Sequence, residues 1–161
     1  MEIEIGDPVL ALIPPDSAVV QLTEKGGARR LTLTLNVISF NLISWELEGF
    51  PNTKPMIFKF ICECMEALKA NIEKVVIYDA VNGTYHSHVV IKDEQENRTY
   101  QMPLHVTDAV ALAIASKCRI FVTEEVFEKV QKELEKYPDR TMATEARMFF
   151  DEMNPDKMTK H

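Results

Sequence analysis

The sequence lacks the local motifs that mark several large enzyme classes. It has no glycine-rich phosphate-binding loop with a lysine, no His-Glu-x-x-His, no Gly-x-Ser-x-Gly and no Cys-x-x-Cys. Each of these motifs places a phosphate, a metal ion or a nucleophile in a fixed local geometry. None of the corresponding chemistries is therefore indicated by a local pattern.

Cysteine is also scarce, and long apolar runs are missing. The three cysteines, Cys62, Cys64 and Cys118, cannot all pair within one chain, and so few do not suggest a disulfide framework. The first residues have neither the basic region nor the apolar stretch of a signal peptide, and no apolar run approaches the roughly 20 residues of a transmembrane helix. We therefore expect a cytoplasmic protein that does not enter a membrane.

Basic residues are outnumbered by acidic ones. Lys and Arg total 18 and Asp and Glu total 25, for a formal net charge of −7. A protein that binds nucleic acid by charge alone carries a basic excess, because much of the affinity comes from neutralising phosphates. A nucleic-acid role would here need a local site, a metal ion or a partner. The 161 residues, 46% hydrophobic and 27% charged, are typical of an ordinary globular domain.

Turn signals and periodicity predict an α+β fold. Residues 3–36 form extended segments separated by turns at Pro14-Pro15-Asp16 and Gly26-Gly27. Helical patterns follow at 39–48, from Pro55 onward, at 107–115, at 126–137 and at 141–153. Thr107 is expected to cap the buried helix that starts there. We expect a mostly antiparallel or mixed sheet with a central hairpin, packed by several helices, in a single domain.

The pair Asn82-Gly83 is the strongest local signal, because it favours a two-residue type I′ hairpin turn. The turn predicts a register for the segment 72–92. The pairs, from the turn outward, are Val81 with Thr84, Ala80 with Tyr85, Asp79 with His86 and Ile77 with His88.

This register divides the hairpin into two faces. One face is expected to hold mostly core residues: Val76, Tyr78, Ala80, Tyr85, Ser87, Val89 and Ile91. The other would show Asp79, His86 and His88 among Val75, Ile77 and Val90. Two histidines and a carboxylate on one sheet face form an unusual group.

Several segments together resemble the bifunctional nuclease domain family. In chain order they are Leu47-Glu48-Gly49, Lys54-Pro55-Met56, Val75 to Asp79, Asn82 to Tyr85, Thr107 to Ala113 and Ile120 to Val126. Thr107 to Ala113 is the most specific, since family members carry Ser-Asp-Ala-Ile-Ala-Leu-Ala there. The resemblance implies a small intracellular, oligomeric domain with activity on DNA and RNA. Residues 1–137 would form this domain, and 138–161 a C-terminal helical appendage and tail.

The chain also departs from the family pattern. The family commonly has Arg-Pro-x-Thr-His-Asp-Leu at the first long helix, and residues 54–60 lack the His and the Asp. It commonly has Asp-x-Arg-Pro-Ser-Asp before the second helix, and residues 103–108 keep only the last Asp and a hydroxyl. A family glutamate near Val37 is missing too. These departures indicate that the chemistry has been lost or relocated.

The candidate metal ligands are His86, His88 and Asp79. Metal-assisted phosphodiester hydrolysis needs carboxylates or imidazoles that converge on one or two ions. Two histidines two residues apart on a strand project to one face, and Asp79 opposite His86 could complete a site for Mg²⁺, Mn²⁺ or Zn²⁺. The alternative is that these histidines are hydrogen-bonded or exposed surface residues.

The candidate catalytic residues are Asp108, Thr107 and His105. The resemblance strengthens the case for a functional role of Asp108 and Thr107. His105 stands at a position where the family commonly has Arg, and there it could contact a phosphate. The alternative is structural: Thr107 caps the helix, Asp108 complements the positive end of its dipole, and His105 faces solvent.

Two functions stay open at this point. The first is metal-assisted hydrolysis of DNA or RNA phosphodiesters by a nuclease of this family. The second is a catalytically silent, homo-oligomeric binding or scaffold module, with the Met and Phe side chains of the last helix in contact with a partner.

Overall fold

A computed structural model describes residues 1–13, 17–48 and 57–137. In chain order its elements are β1 (Glu2–Glu4), β2 (Val9–Ile13), β3 (Ser17–Thr23), β4 (Arg30–Leu35), α1 (Val37–Glu48), α2 (Ile57–Ala67), β5 (Ala70–Val81), β6 (Thr84–Asp93), β7 (Arg98–His105), α3 (Val106–Ser116), β8 (Arg119–Thr123) and α4 (Glu124–Lys136). The predicted α+β single domain is confirmed. The helix predicted at 141–153 and the whole appendage 138–161 lie outside the described residues.

The strands form a large and a small sheet. The large sheet has the order β1-β8-β5-β6-β7, in which β5 and β8 run parallel and the other neighbours run antiparallel. The small sheet is the antiparallel series β2-β3-β4. The sheets are thus mixed and antiparallel, as predicted. The parallel pair requires that the chain cross from β5 through β6, β7 and α3 before it returns as β8.

One face of the large sheet, the core face, carries the hydrophobic core. Val75 and Ile77 of β5, Val89 of β6 and Val122 of β8 are buried there. The four helices of the described residues and the small sheet contribute side chains to the same cluster. Burying one such aliphatic side chain stabilises the fold by about 1.5–3 kcal/mol, so this cluster is the main source of stability.

Helix α3 lies at the centre of this core. Seven of its eleven residues are buried, among them Ala109, Ala111 and Ala113. Small side chains let a helix approach its neighbours closely, and α3 contacts α1, α2 and the large sheet. The prediction of a helix buried on several sides is confirmed.

Arg29 joins the small sheet to α4. Its guanidinium group donates to Glu24 at 2.8 Å and to Glu124 at the start of α4, and it lies 5.0 Å from the centre of the Phe127 ring. Arginine combines planar donors with an affinity for aromatic faces, which suits it to this position. The contact fixes α4 against the β3–β4 hairpin.

The opposite face of the large sheet, here called the open face, contributes none of the described core-cluster residues. Cross-strand pairs place Phe121, Val76, His88 and Pro103 in one row on this face, because opposed residues on neighbouring strands project to the same side. In the described part of the chain, no helix is long and apolar enough to cross a membrane.

The central hairpin follows the prediction near its turn and departs from it further away. Asn82 and Gly83 have φ values of 50° and 78°, as a type I′ turn requires, and Asp79 pairs with His86 as predicted. A β-bulge between Ile77 and Asp79 then shifts the register, so that His88 pairs with Val76. The prediction that Ile77 lies opposite His88 was wrong.

The bulge also exchanges the faces of four residues. Val75 and Ile77 lie on the core face, whereas Val76 and Tyr78 lie on the open face, the reverse of the prediction. A bulge opposes two residues to one and leaves no mark in a pattern of alternating hydrophobicity. The face assignments of β6, which has no bulge, were correct.

The start of α3 differs from the prediction as well. The helix begins at Val106 after His105, and no side chain caps its first turn. Thr107 is inside the helix and buried, so the prediction that Thr107 is the cap was wrong. The strand β7 extends to His105, and this places the helix start one residue before the expected cap.

Candidate active site

Three of the predicted site residues lie side by side near the turn end of the large sheet. Asp79 on β5 pairs with His86 on β6, and His86 pairs with His105 on β7. Directly opposed residues on antiparallel strands have Cβ atoms about 4.5–5.5 Å apart and project to the same face. Asp79, His86 and His105 therefore form a row on the open face, here called the histidine row.

The β-bulge adds an aromatic ring to this row. Tyr78 and Asp79 together oppose His86, so Tyr78 also projects to the open face. Its ring centre lies 6.3 Å from that of His86 and 5.2 Å from that of His88. The Thr123 hydroxyl donates to the Tyr78 carbonyl at 3.2 Å and thereby ties the bulged backbone to the end of β8.

His105 is held by a buried hydroxyl. Its Nδ1 and the Thr107 Oγ1 are 2.9 Å apart and share a hydrogen bond. Thr107 is buried in the first turn of α3, so its hydroxyl offers the exposed imidazole a fixed partner. A histidine bonded through one ring nitrogen keeps the other, here Nε2, for proton exchange with a ligand.

Asp108 follows Thr107 and is half-buried in the first turn of α3. A carboxylate at this position is favoured by the positive end of the helix dipole. The structure thus joins His105 and Thr107 by a hydrogen bond at the strand-to-helix junction, whereas none of the contacts described here connects Asp108 to the histidine row.

The Asp79 carboxylate is hydrogen-bonded within the protein. Its carboxylate accepts hydrogen bonds from the Lys129 ammonium group of α4 and from the Ala80 N–H, the latter at 2.8 Å. Lys129 first, and the Ala80 N–H second, hold the pKa of the Asp79 carboxyl below its usual value. The same bond raises the pKa of Lys129. Asp79 is therefore an ionised partner of Lys129.

His88 lies one row away from the histidine row. It pairs with Val76 on one side and with Pro103 on the other, and it follows His86 by two residues on β6, about 7 Å along the strand. Partial burial lowers the pKa of His88, and this favours a neutral ring. His86 and His88 share a face as predicted, but different neighbours surround them.

The described residues do not fit a preformed metal site. Among them, no group of three or more His, Cys, Asp or Glu side chains is arranged to hold an ion. The contacts explain this. The Asp79 carboxylate accepts a hydrogen bond from Lys129, and Nδ1 of His105 shares one with Thr107. The Tyr78 ring lies beside both His86 and His88.

The position of the family histidine has become part of the core. Phe58 of α2 stands where the family commonly has His, and it is buried in the main cluster. Lys59, at the family Asp position, is exposed. An aromatic side chain packed in the core cannot transfer protons, so Phe58 has a structural role.

A family model described as the bifunctional nuclease domain matches residues 20–135. The match extends from β3 to α4 and includes the whole histidine row. The chain belongs to the bifunctional nuclease domain family, and the predicted resemblance is confirmed. No curated protein matches the chain.

Two residues of the site were missed from the sequence. Lys129 is 50 residues away from Asp79, and only the packing of α4 brings them together. Tyr78 was assigned to the core because strict alternation places it on the face of Ala80. The two histidines near Tyr78 were the available signal that this part of the hairpin holds a site. The alternating pattern does not show where the bulge lies, so it could not place Tyr78 beside them.

Proposed function

We propose that the protein cleaves phosphodiester bonds of nucleic acid at the histidine row. The observation that carries this proposal is the direct pairing of His86 with His105 on neighbouring strands of the open face. Histidine is the side chain best suited to give and take protons near neutral pH, and phosphodiester cleavage needs both transfers. Membership of a nuclease family supports nucleic acid as the substrate.

Each neighbour of the pair has a role in the proposal. His86 and His105 transfer protons, and Thr107 is a positioning residue that orients the His105 ring. Lys129 places a positive charge beside the row, where it can offset the negative charge that develops on a phosphate oxygen. Asp79 holds Lys129 in place, and Tyr78 offers an exposed ring on which a base can stack.

The net negative charge of the chain is compatible with this function. Lys74 and Arg119 lie on the open face, and Glu2 and Glu4 respectively are close enough to offset these two positive charges. Binding would then depend on local contacts more than on bulk attraction. We also retain the cytoplasm as the compartment, since Cys62, Cys64 and Cys118 are free thiols.

The test uses the full chain, single-stranded and duplex RNA and DNA, and buffers with EDTA, Mg²⁺, Mn²⁺ or Zn²⁺. We expect His86→Gln and His105→Gln each to lower the cleavage rate about 10²-fold or more, the usual contribution of a proton-transfer group. His88→Gln is the matched control, because it removes an imidazole of the same strand that lies outside the histidine row. No cleavage above a mock purification in any buffer, or equal rates in all variants, contradicts the proposal.

A second function, a homo-oligomeric binding module, is favoured by the edge strand β7. Its eight residues end the large sheet, and Tyr100 and Met102 on its core-face side are 43% and 51% exposed. An unpaired edge can bind another strand, although Pro103 removes one donor, so contact would depend on these two side chains. Light scattering tests this: we expect Met102→Lys to dissociate an oligomer and Leu68→Lys to leave it intact. A monomeric wild type contradicts it.

A further inference from the structure

Resting on the proposed function, we infer that Phe121 and Arg119 of β8 form a second nucleotide-binding subsite, which holds a single-stranded nucleic acid, DNA or RNA, on the open face beside the histidine row. Phe121 projects to the open face, where it pairs with Val76, and it belongs to neither of the hydrophobic clusters formed by the described residues. Its neighbours on β8, Ile120 and Val122, are both in the core. Packing of the core therefore does not account for the Phe121 ring.

Two cations lie beside this ring. Nζ of Lys74 is 5.2 Å from the centre of the Phe121 ring, and Cζ of Arg119 is 5.7 Å from it. Proteins bind single strands with this combination, in which a base stacks on an aromatic ring and a cation meets the adjacent phosphate. The Arg119 side chain is 68% exposed, so a base can take its place against the ring while the guanidinium group turns to the phosphate.

The ion pairs of β1 leave Arg119 able to reach a phosphate. The Glu4 carboxylate accepts a hydrogen bond from Lys25 at 2.7 Å, whereas Arg119 lies 3.9 Å from the same carboxylate. The Lys25 hydrogen bond is the main cause of the lowered pKa of the Glu4 carboxyl, and the charge of Arg119 is the weakest cause. Because Lys25 is the closer partner, Glu4 holds Arg119 only loosely.

The subsite leads to the histidine row. Tyr78 follows Val76, the partner of Phe121, by two residues on β5. It therefore lies about 7 Å along the strand and one strand spacing, about 5 Å, across from Phe121 on the same face. The Tyr78 ring is 41% exposed, and its centre is 6.3 Å from that of the His86 ring. One strand can thus contact Phe121, Tyr78 and the histidine row in succession.

These contacts select a single strand but not a sugar. In a duplex the face of each base is covered by its stacked neighbours, so rings on a sheet face can stack only on unpaired bases. Stacking uses the π-face that every base has, and the arginine contacts a phosphate, so neither contact reads the 2′ position. Single-stranded DNA and RNA should both bind, in agreement with the substrates that the family resemblance implies.

Fluorescence anisotropy tests the subsite with the full chain in EDTA and a labelled oligopyrimidine of about 12 nucleotides, as DNA, as RNA and in a duplex. We expect Phe121→Leu to raise Kd for both single strands about tenfold, the effect of losing one stacked base, and Phe121→Tyr to bind as the wild type. Arg119→Gln should lower the slope of log Kd against log salt by about 0.7, the value for one phosphate contact on a single strand. Circular dichroism checks that each variant is folded.

Arg98→Gln is the matched control. The Arg98 side chain is 69% exposed and lies 3.1 Å from Glu96, so it resembles Arg119 in exposure and in its acidic neighbour. It stands at the start of β7, at the opposite end of that strand from His105. The salt slope of this variant should equal that of the wild type.

The outcomes separate this inference from the proposed function. Binding that depends on Phe121 and Arg119 without any cleavage supports the subsite and contradicts the proposed function. Cleavage with an unchanged Kd and salt slope in both variants supports the histidine row and overturns the subsite.

Three further results would overturn the subsite: no binding of any strand, a duplex bound as tightly as a single strand, or a strong preference for one sugar. In the cleavage assay Phe121→Leu should raise KM with little change in kcat, because the subsite holds the strand away from the reacting phosphate. A fall in kcat with KM unchanged would instead place Phe121 in the chemical step and contradict a binding role.

Discussion

Lys129 of α4 donates a hydrogen bond to the Asp79 carboxylate at the β-bulge of β5. This contact links the helix that follows β8 to the histidine row and pairs the one carboxylate of that row with a lysine. It also gives Asp79 and Lys129 opposite pKa shifts with a common cause. The pair is therefore both a structural contact and a means to test the electrostatics of the site.

Acid should weaken the contribution of Asp79 to stability. Its folded-state pKa lies below the ordinary value of 3.8, so its contribution is present above that value and is lost as the pH falls through the lower, folded-state pKa. We expect Asp79→Asn to unfold more easily than the wild type at neutral pH and equally easily in strong acid. Thermal unfolding followed by circular dichroism across this range measures the difference. A difference that does not depend on pH would contradict the ion pair.

Alkali should reveal the burial of Tyr85. Desolvation first, and Glu133 second, raise the pKa of Tyr85 to about 12. Above the ordinary value of 10.0 the unfolded chain loses the phenol proton while the folded chain keeps it, so stability is lost between pH 10 and about 12. We expect the free energy of unfolding of Tyr85→Phe to fall by about 1–2 kcal/mol less than that of the wild type over this pH range. Tyr100→Phe, at an exposed position, is the control in the same denaturant titrations.

Thr107 should act through His105. Thr107→Val keeps the volume at a buried position and removes the hydroxyl that bonds Nδ1. A hydrogen bond of this kind contributes about 1 kcal/mol, so we expect kcat for nucleic-acid cleavage to fall about fivefold with KM unchanged. Rescue in Thr107→Ser, which restores a hydroxyl, separates orientation from packing. An unchanged kcat in Thr107→Val would show that the bond does not position the ring.

Adjacent residues at the bulge should respond in opposite ways. Ile77 is fully buried on the core face, and Ile77→Ala should cost about 2–5 kcal/mol of unfolding free energy. Tyr78 is half-exposed on the open face, so Tyr78→Ala should cost much less. Chemical denaturation of the two variants measures both values. A larger cost for Tyr78→Ala than for Ile77→Ala would mean that the chain follows strict alternation, without the bulge.

Short-range chemistry explains what could be predicted from the sequence. The Asn82-Gly83 turn sets the pairing of Asp79 with His86 because two residues with positive φ suffice to define a type I′ hairpin. The buried helix α3 was equally predictable, since its apolar residues cover the whole circumference.

The remainder depends on long-range packing. Nothing local shows that β5 has one residue more than β6 between Ile77 and Asp79, so Tyr78 was placed on the wrong face. The approach of Lys129 to Asp79 depends on how α4 packs against the sheet. Because β7 extends to His105 and α3 begins directly after it, Thr107 lies inside the helix, where it is buried. The resemblance identified the family, but it did not show where the polar site residues of this chain lie.

The position of β1 in the large sheet has a consequence for how the chain folds during synthesis. Ile3 pairs with Val122 of β8, and Val122 in turn lies beside Ile77 of β5. The central hairpin and α3 can assemble from neighbouring segments, but β1 must wait until the ribosome has released β8. Until then one edge of β5 stays without a partner, and β1 is held only through its contacts with residues 23–25, so the nascent chain exposes an unpaired strand edge that favours aggregation.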